Sequence, residues 1–341
     1  MATKDPVTIA KSVMKAAKQG DATAQYRLGL LYASGKGVKR DLKTAVIWYL
    51  KAAEQGHAEA QCVLGSKYTS GQGVERDLRQ ALHWYQLAAD QGDMKAAYYL
   101  GSMYDEGQGT DRDPYQAEYW YSKAAESGDV MAQLKLGGMY AREEPLIALS
   151  WYRKAADQGN AVAQWNLGVM YAKGKPIKRD LAKAYDWYRQ SAEQGFTAAQ
   201  AALGLAYAQG DGVAQDHEKA ASWWLKAADQ DDAEAQFNLG LLYSKGLGLA
   251  LNGASALKWF GRAAEQGVVQ AQLHLGLMLA KGELVVANLI EAYKWFAIAS
   301  KTGKNKVARD NLKRAESLMS EEQLSEGKRR VQEWKPQRLK S

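Results

Sequence analysis

The sequence predicts an all-α fold, a right-handed α/α superhelix (solenoid) of about eight 36-residue helix-turn-helix repeats with helical caps. Three observations predict it. A self-similar unit recurs at a nearly constant period along most of the 341 residues, the mark of a repeat array rather than of two ordinary domains. Within each unit, two segments carry apolar residues at helical spacing. The composition agrees, with only 5 Pro and an abundance of Ala, Leu, Lys, Gln and Glu, the residues that favour helices.

Counting position 1 as the residue after each "QG", or after its stand-ins "SG" and "QD", the units begin at Asp21, His57, Asp93, Asp129, Asn160, Phe196, Asp232 and Val268. Seven have 36 residues and the fourth has 31. This gives repeats at 21–56, 57–92, 93–128, 129–159, 160–195, 196–231, 232–267 and 268–303, between an N-terminal capping helix at 1–20 and capping helices with a basic tail at 304–341. In the first unit, Ala24, Leu28 and Tyr32 lie four apart. Ala45, Trp48, Tyr49, Ala52 and Ala53 follow the i, i+3, i+4, i+7, i+8 rule. Both segments therefore read as amphipathic helices. The glycine at position 9 (Gly29, Gly65, Gly101) lowers helix propensity and is explained as room for the neighbouring helix.

Between the helices stands "GKGVKRD", Gly35 to Asp41. Taken alone it could cradle a phosphate. It returns, however, as "GQGVERD", "GQGTDRD", "GKPIKRD", "GDGVAQD", "GLGLALN" and "GELVVAN", and a nucleotide site is normally built once. The loop is read instead as a turn closed by a helix N-cap. Asp41, Asp77, Asp113, Asp180 and Asp216, with Asn252 and Asn288, supply the cap. Gln80, Gln116 and Glu291 stand where capping boxes need them, and Pro114 falls at the first helical position. In the fourth unit the loop is lost ("YAREEPLIALSWY"), and Glu144 and Pro145 are expected to start the helix. Asp231 replaces a closing glycine and Leu279 the usual first-helix Tyr; both are expected to loosen packing late in the array.

One unit has too little apolar surface to offset the entropy of ordering it, so neighbours must stack. The ends fit that requirement. "SVMKAAKQG", Ser12 to Gly20, matches the end of a second helix. After Gly303 the register dissolves, with Ser320 and Gln323 placed for a capping box and Pro336 after the last helical turn.

The formal charge is +7, but residues 301–341 hold twelve Lys/Arg against six Asp/Glu, and the rest of the chain is nearly neutral. A nucleic-acid groove spreads its cations along a face, so no nucleic-acid partner is expected. The basic tail reads first as a solvated helix surface, second as a contact for an acidic surface. The single Cys62 excludes an internal disulfide framework and fits a reducing compartment. There is no leader-like run and no apolar stretch long enough to span a membrane. A cytoplasmic protein without membrane insertion is expected, periplasmic if a signal peptide has been removed.

The string "AQYRLGLLYASGKGVKRDLKTAVIWYLKAAEQG" resembles the Sel-1-like repeat family, relatives of the tetratricopeptide repeats, over about Asp21 to Gly303. The resemblance implies an α-helical superhelix acting as a non-enzymatic scaffold or adaptor, with first helices lining a concave groove that binds a protein partner. Positions 3, 6, 7, 10, 13 and 14 would reach into the groove. Rings dominate binding hot spots, which selects Tyr26, Tyr98, Tyr99, Trp165 and Phe237 as anchors. Arg27, Asn166, Asn238 and His274 stand at position 7. Lys135, Lys173, Lys245 and Lys281 would favour an acidic or C-terminal carboxylate-bearing partner. The plainer alternative is that position 6 packs against the next helix and the lysines are solvated. A specialised alternative function is an immunity or inhibitor protein neutralising a bacterial secreted toxin, such as a phospholipase effector.

Catalysis finds little support. His57, His83, His217 and His274 occupy four different repeat positions without metal-ligand spacing. The cysteine pairs of secreted family members linked to β-lactam chemistry are missing. No catalytic residue, metal or cofactor is expected, and the chain is expected to act as a monomer.

Overall fold

The structure, a computed structural model, describes residues 5–301 and 305–336. Within them the chain forms nineteen α-helices and no strand, and it divides after Gln158 into two compact units. In the first unit α1 (Pro6–Lys18) precedes the pairs α2 (Ala22–Ser34) and α3 (Leu42–Glu54), α4 (Ala58–Ser70) and α5 (Leu78–Asp90), α6 (Met94–Glu106) and α7 (Pro114–Glu126), α8 (Val130–Tyr140) and α9 (Pro145–Asp157). The second holds α10 (Ala161–Lys173) and α11 (Leu181–Glu193), α12 (Thr197–Gln209) and α13 (His217–Asp229), α14 (Ala233–Lys245) and α15 (Gly253–Glu265), α16 (Val269–Lys281) and α17 (Leu289–Lys301). It ends with α18 (Lys306–Leu318) and α19 (Glu321–Glu333). Inside each unit every first helix packs on its own second helix, and second helices pack on the next first helix.

The position-9 glycine has a specific reason. A Cβ on Gly65 would stand 2.6 Å from the Tyr85 ring, and one on Gly240 2.5 Å from the Phe260 ring. The same contact joins Gly29 to Tyr49, Gly101 to Tyr121, Gly137 to Tyr152, Gly168 to Tyr188, Gly204 to Trp224 and Gly276 to Phe296. Each first helix is thus notched so that a ring from its partner helix lies against its backbone, a close approach only glycine permits.

A second device is polar. Gln236, fully buried, donates from Nε2 to the Ala228 carbonyl at 3.2 Å and accepts at Oε1 from Gln266 at 2.8 Å. Gln25 with Ala17 and Gln55, Gln61 with Ala53 and Gln91, Gln133 with Ala125 and Gln158, and Gln200 with Ala192 and Gln230 repeat the arrangement. It ties the end of one second helix to the next first helix and back to that helix's own partner. A buried amide satisfied on both sides is stabilising, and a half-satisfied one is costly. The third repeat confirms the logic, because Ala97 and Ser127 replace both members of the pair at once.

The loops behave as read, with additions. Asp41 accepts from the Lys43 and Thr44 amides at 3.0 and 3.1 Å, and Asp77, Asp113, Asp180, Asp216, Asn252 and Asn288 also cap their helices. Position 1 caps the first helices too, through Asp21, His57, Asp93, Asp129, Asn160 and Asp232. The basic residue before the cap belongs to the turn. Arg40, Arg76, Arg112 and Arg179 donate from Nε to the carbonyls of Ala33, Thr69, Asp105 and Ala172, closing the open end of the first helix. The second loop glycine is a contact between repeats: a Cβ on Gly73 would lie 2.4 Å from the Leu42 carbonyl oxygen.

Some expectations are corrected. Of the capping boxes, Ser320 with Gln323 forms in both directions. At Asp77 and Asp113 the backbone-to-Asp bond forms, and among the described residues no return bond from Gln80 or Gln116 accompanies it. Glu291 instead pairs with Lys294 and Arg330. Glu144 precedes α9 without a capping hydrogen bond, Pro145 being at the helix start. Packing does not loosen at Leu279, which is buried. Asp231 does carry strain, adopting φ +64° where other repeats use glycine. The tail is less free than a solvated surface: Trp334 Nε1 donates to Glu265 at 2.7 Å and Arg330 pairs with Glu291 and Glu326.

Candidate functional site

The first-helix residues singled out by sequence separate into three groups. The rings at position 6 are half-buried and engaged. Tyr26 stacks on His57 at 4.8 Å and meets Tyr49 at 5.9 Å. Tyr98 contacts Tyr99 and Tyr121 at 5.5 and 5.8 Å, and Tyr99 stacks on Tyr85 at 5.2 Å. Trp165 meets Phe196 at 5.7 Å, and Phe237 meets Phe260 at 5.8 Å. These rings roof the seam and leave one side open.

The cations are the second group. Lys135 is half-buried and lies 3.9 Å from Asp105, which also holds Arg112 at 3.6 Å. Lys281 has Glu283 at 3.7 Å. Lys173 and Lys245 are exposed and have no carboxylate partner among the described residues, and Arg27 is exposed likewise.

Third are the amides and His274. Asn166 and Asn238 are half-buried, and among the described residues neither side-chain amide makes a hydrogen bond to the protein. Asn166 and Lys173 on α10, and Asn238 and Lys245 on α14, lie seven residues apart, two turns along one helix face. His274 and Lys281 repeat the spacing on α16. The His274 ring lies 5.5 Å from both Phe237 and Phe260. Burial first, then the charge of Lys245, lowers its pKa, which keeps the ring neutral near neutral pH.

Two adjoining pockets sit at this end of the second unit. One, of about 280 Å³, is lined by Lys245, Phe260, His274, Leu277, Lys281 and Leu284, among others. Its neighbour, of about 230 Å³, shares Leu277 and Lys281 and adds Leu289, Phe296, Arg314 and Leu318. Sequence reasoning missed Arg314 and Leu318, because α18 lies beyond the last repeat and carries no repeat register. The second-helix surface is occupied differently. Lys51, Lys154 and Lys226 lie 4.6, 4.0 and 3.8 Å over the rings of Trp48, Trp151 and Trp223, so the repeated Trp-x-x-Lys spacing encodes a cation–π pair three residues apart.

The remaining titratable residues point to structural roles. Cys62 is buried, and burial, then Asp93, pushes its thiol up to about 12, a poor state for a nucleophile. His57 caps α4 and His83 packs on Trp84. Among the described residues no group of three or more His, Cys, Asp or Glu could hold a metal ion, and no helix is long and apolar enough to cross a membrane.

A family model described as "Sel1 repeat" matches residues 22–57, 58–93, 95–129, 130–160, 161–196, 197–232, 233–268 and 269–303. The chain belongs to the Sel1 repeat family. Its all-α solenoid is shared with solved Sel1 repeat structures. A protective antigen present in uropathogenic Escherichia coli strains, described as displaying an SLR fold, is 36% identical with TM-score 0.86, covering 97% of this chain and 72% of that one. A Sel1 repeat protein from Oxalobacter formigenes is 31% identical with TM-score 0.67, covering 92% of this chain and 95% of that one. The immunity protein Pa5087 from Pseudomonas aeruginosa is 25% identical over 62% of this chain and 82% of its own, with a TM-score of 0.37. A search of curated proteins returns no match.

Proposed function

We propose that this Sel1 repeat protein is a non-enzymatic scaffold that holds a segment of a protein partner along the surface of its first helices. The observation that carries the reading is the pair of half-buried, unbonded amides, Asn166 and Asn238, each two turns from an unpaired lysine, Lys173 and Lys245. An amide offers a donor and an acceptor together, which suits a peptide backbone, and these two, reached by solvent, are open to one. The lysines suit carboxylates. Tyr26, Tyr98, Tyr99, Trp165 and Phe237 supply ring faces held rigid by the seam, so a partner orders few side chains on binding them. In this reading Lys135 is the weakest contributor, since Asp105 already offsets its charge.

The test is affinity capture from native lysate with the full chain, repeated with Asn166→Ala/Asn238→Ala and with His83→Ala on a second helix. The reading expects one set of partners, lost with the double substitution and kept with His83→Ala. Capture unaffected by the double substitution would remove the first-helix surface as the binding face.

A further inference from the structure

We propose that the C-terminal end of the first-helix surface, between α14 and α18, is a docking site for an acidic peptide segment of a protein partner, seated by large apolar side chains. This rests on the scaffold reading and assigns it a place and a chemistry. Three observations carry it. First, the two adjoining pockets, about 280 and 230 Å³, fall below the size that encloses a cofactor and suit single side chains. Phe260, Leu277 and Phe296 give them apolar floors.

Second, the rim is cationic. Lys245, Lys281 and Arg314 line the two pockets against one carboxylate, Glu283, which faces Lys281 at 3.7 Å. Lys245 and Arg314 have no carboxylate partner among the described residues. Opposite charges laid along such a trough steer and orient an acidic segment.

Third, apolar side chains stand exposed around it. Leu284 at the edge of the larger pocket is 38% exposed and Leu318 at the edge of the smaller is 61% exposed. The loops of the last two repeats, "GLGLALN" and "GELVVAN", carry Glu283 as their single charged residue where "GKGVKRD" has four, and Leu251 and Val286 within them are 59% and 90% exposed. Leu284 packs on the start of α15, where a Cβ on Gly253 would meet its carbonyl oxygen at 2.1 Å. This gathers the apolar loop residues beside the pocket mouth. Exposed apolar surface concentrated around a cationic trough marks a binding site.

The experiment is selection of a phage-displayed random dodecapeptide library on the immobilised full chain. Enriched peptides are then titrated against the wild type, Lys245→Glu/Lys281→Glu, Asn166→Ala/Lys173→Glu and Lys36→Glu, after thermal melts confirm that each variant folds. The proposal expects enriched peptides to combine Asp or Glu with Leu, Phe or Trp. Their binding should weaken at least tenfold in Lys245→Glu/Lys281→Glu, hold in Lys36→Glu, and fall with rising salt. Peptides indifferent to Lys245→Glu/Lys281→Glu but lost in Asn166→Ala/Lys173→Glu would overturn this site and leave the scaffold reading standing. Peptides indifferent to both, or no enrichment, would count against both. Salt-sensitive sedimentation with phosphatidylserine vesicles that depends on Leu251 and Val286, without acidic peptide binding, would replace the peptide with a lipid surface and overturn the proposal.

Discussion

At position 9 the residues Gly29, Gly65, Gly101, Gly137, Gly168, Gly204, Gly240 and Gly276 all receive a ring from the partner helix. Two residues earlier on the same helices, position 7 holds Arg27, Val63, Tyr99, Lys135, Asn166, Ala202, Asn238 and His274. The seam repeats because its geometry admits one solution, glycine under a flat ring. The neighbouring surface varies because packing asks little of it. At positions such as Arg27, Asn166, Lys173 and Lys245, though not at Tyr99 or His274, which stack on the seam rings Tyr85 and Phe260, a repeat protein can change partners without disturbing the contact that holds its helices together.

The largest expected effect lies in the seam. Gly65→Val places a branched side chain where a single Cβ would already meet Tyr85 at 2.6 Å. It should cost about 3 kcal/mol, read as a lowered urea midpoint and faster hydrogen exchange in α4 and α5. Next is the buried amide pair. Gln236→Ala leaves the Gln266 amide without its partner and takes one of two donors from the Ala228 carbonyl, and should cost about 1–3 kcal/mol. Adding Gln266→Ser imitates Ala97 and Ser127 of the third repeat, and the double variant should be more stable than the sum of the single losses predicts. A double-mutant cycle in urea measures this. Additive losses would show that the pair does not act as a unit.

Smaller effects sharpen the same contrast. Asp231→Gly releases the left-handed φ of +64° and should stabilise by about 0.5–1 kcal/mol, relief of strain exceeding the entropy that glycine adds to the unfolded chain. The caps should show in the acid limb. Hydrogen bonds from Thr44 to Asp41, from Lys183 to Asp180 and from Lys219 to Asp216 hold these carboxyls below their usual range. With the folded pKa depressed, their contribution is present above the unfolded carboxylate value near 4 and disappears as pH falls through the depressed value. Replacing all three by Asn should flatten the fall of the urea midpoint over that interval.

Much of this was legible in the sequence. Helix spans, the Asp caps, the reason for Gly29 and its equivalents, and the start of α9 at Pro145 follow from spacing and turn chemistry, which are local. The Gln25–Gln55 bond joins residues that recur in most of the repeats, so its signal was present, but deciding that two glutamines meet requires knowing how the helices are paired. That Arg40 turns back to the Ala33 carbonyl cannot be read from the loop string alone. The site was less legible for the same reason: whether Lys135 is free depends on Asp105 of the preceding pair. The smaller pocket beside Leu277 depends on α18, where the repeat has ended.

The central claim is that seam and surface are separable, and the four-residue variant Asn166→Ala/Lys173→Ala/Asn238→Ala/Lys245→Ala tests it most directly. Its urea midpoint and its capture of the wild-type partners should be measured side by side. The account predicts stability within about 0.5 kcal/mol per site of wild type with partner capture abolished. Capture that persists at wild-type strength, or a chain that unfolds along with losing its partners, would contradict it.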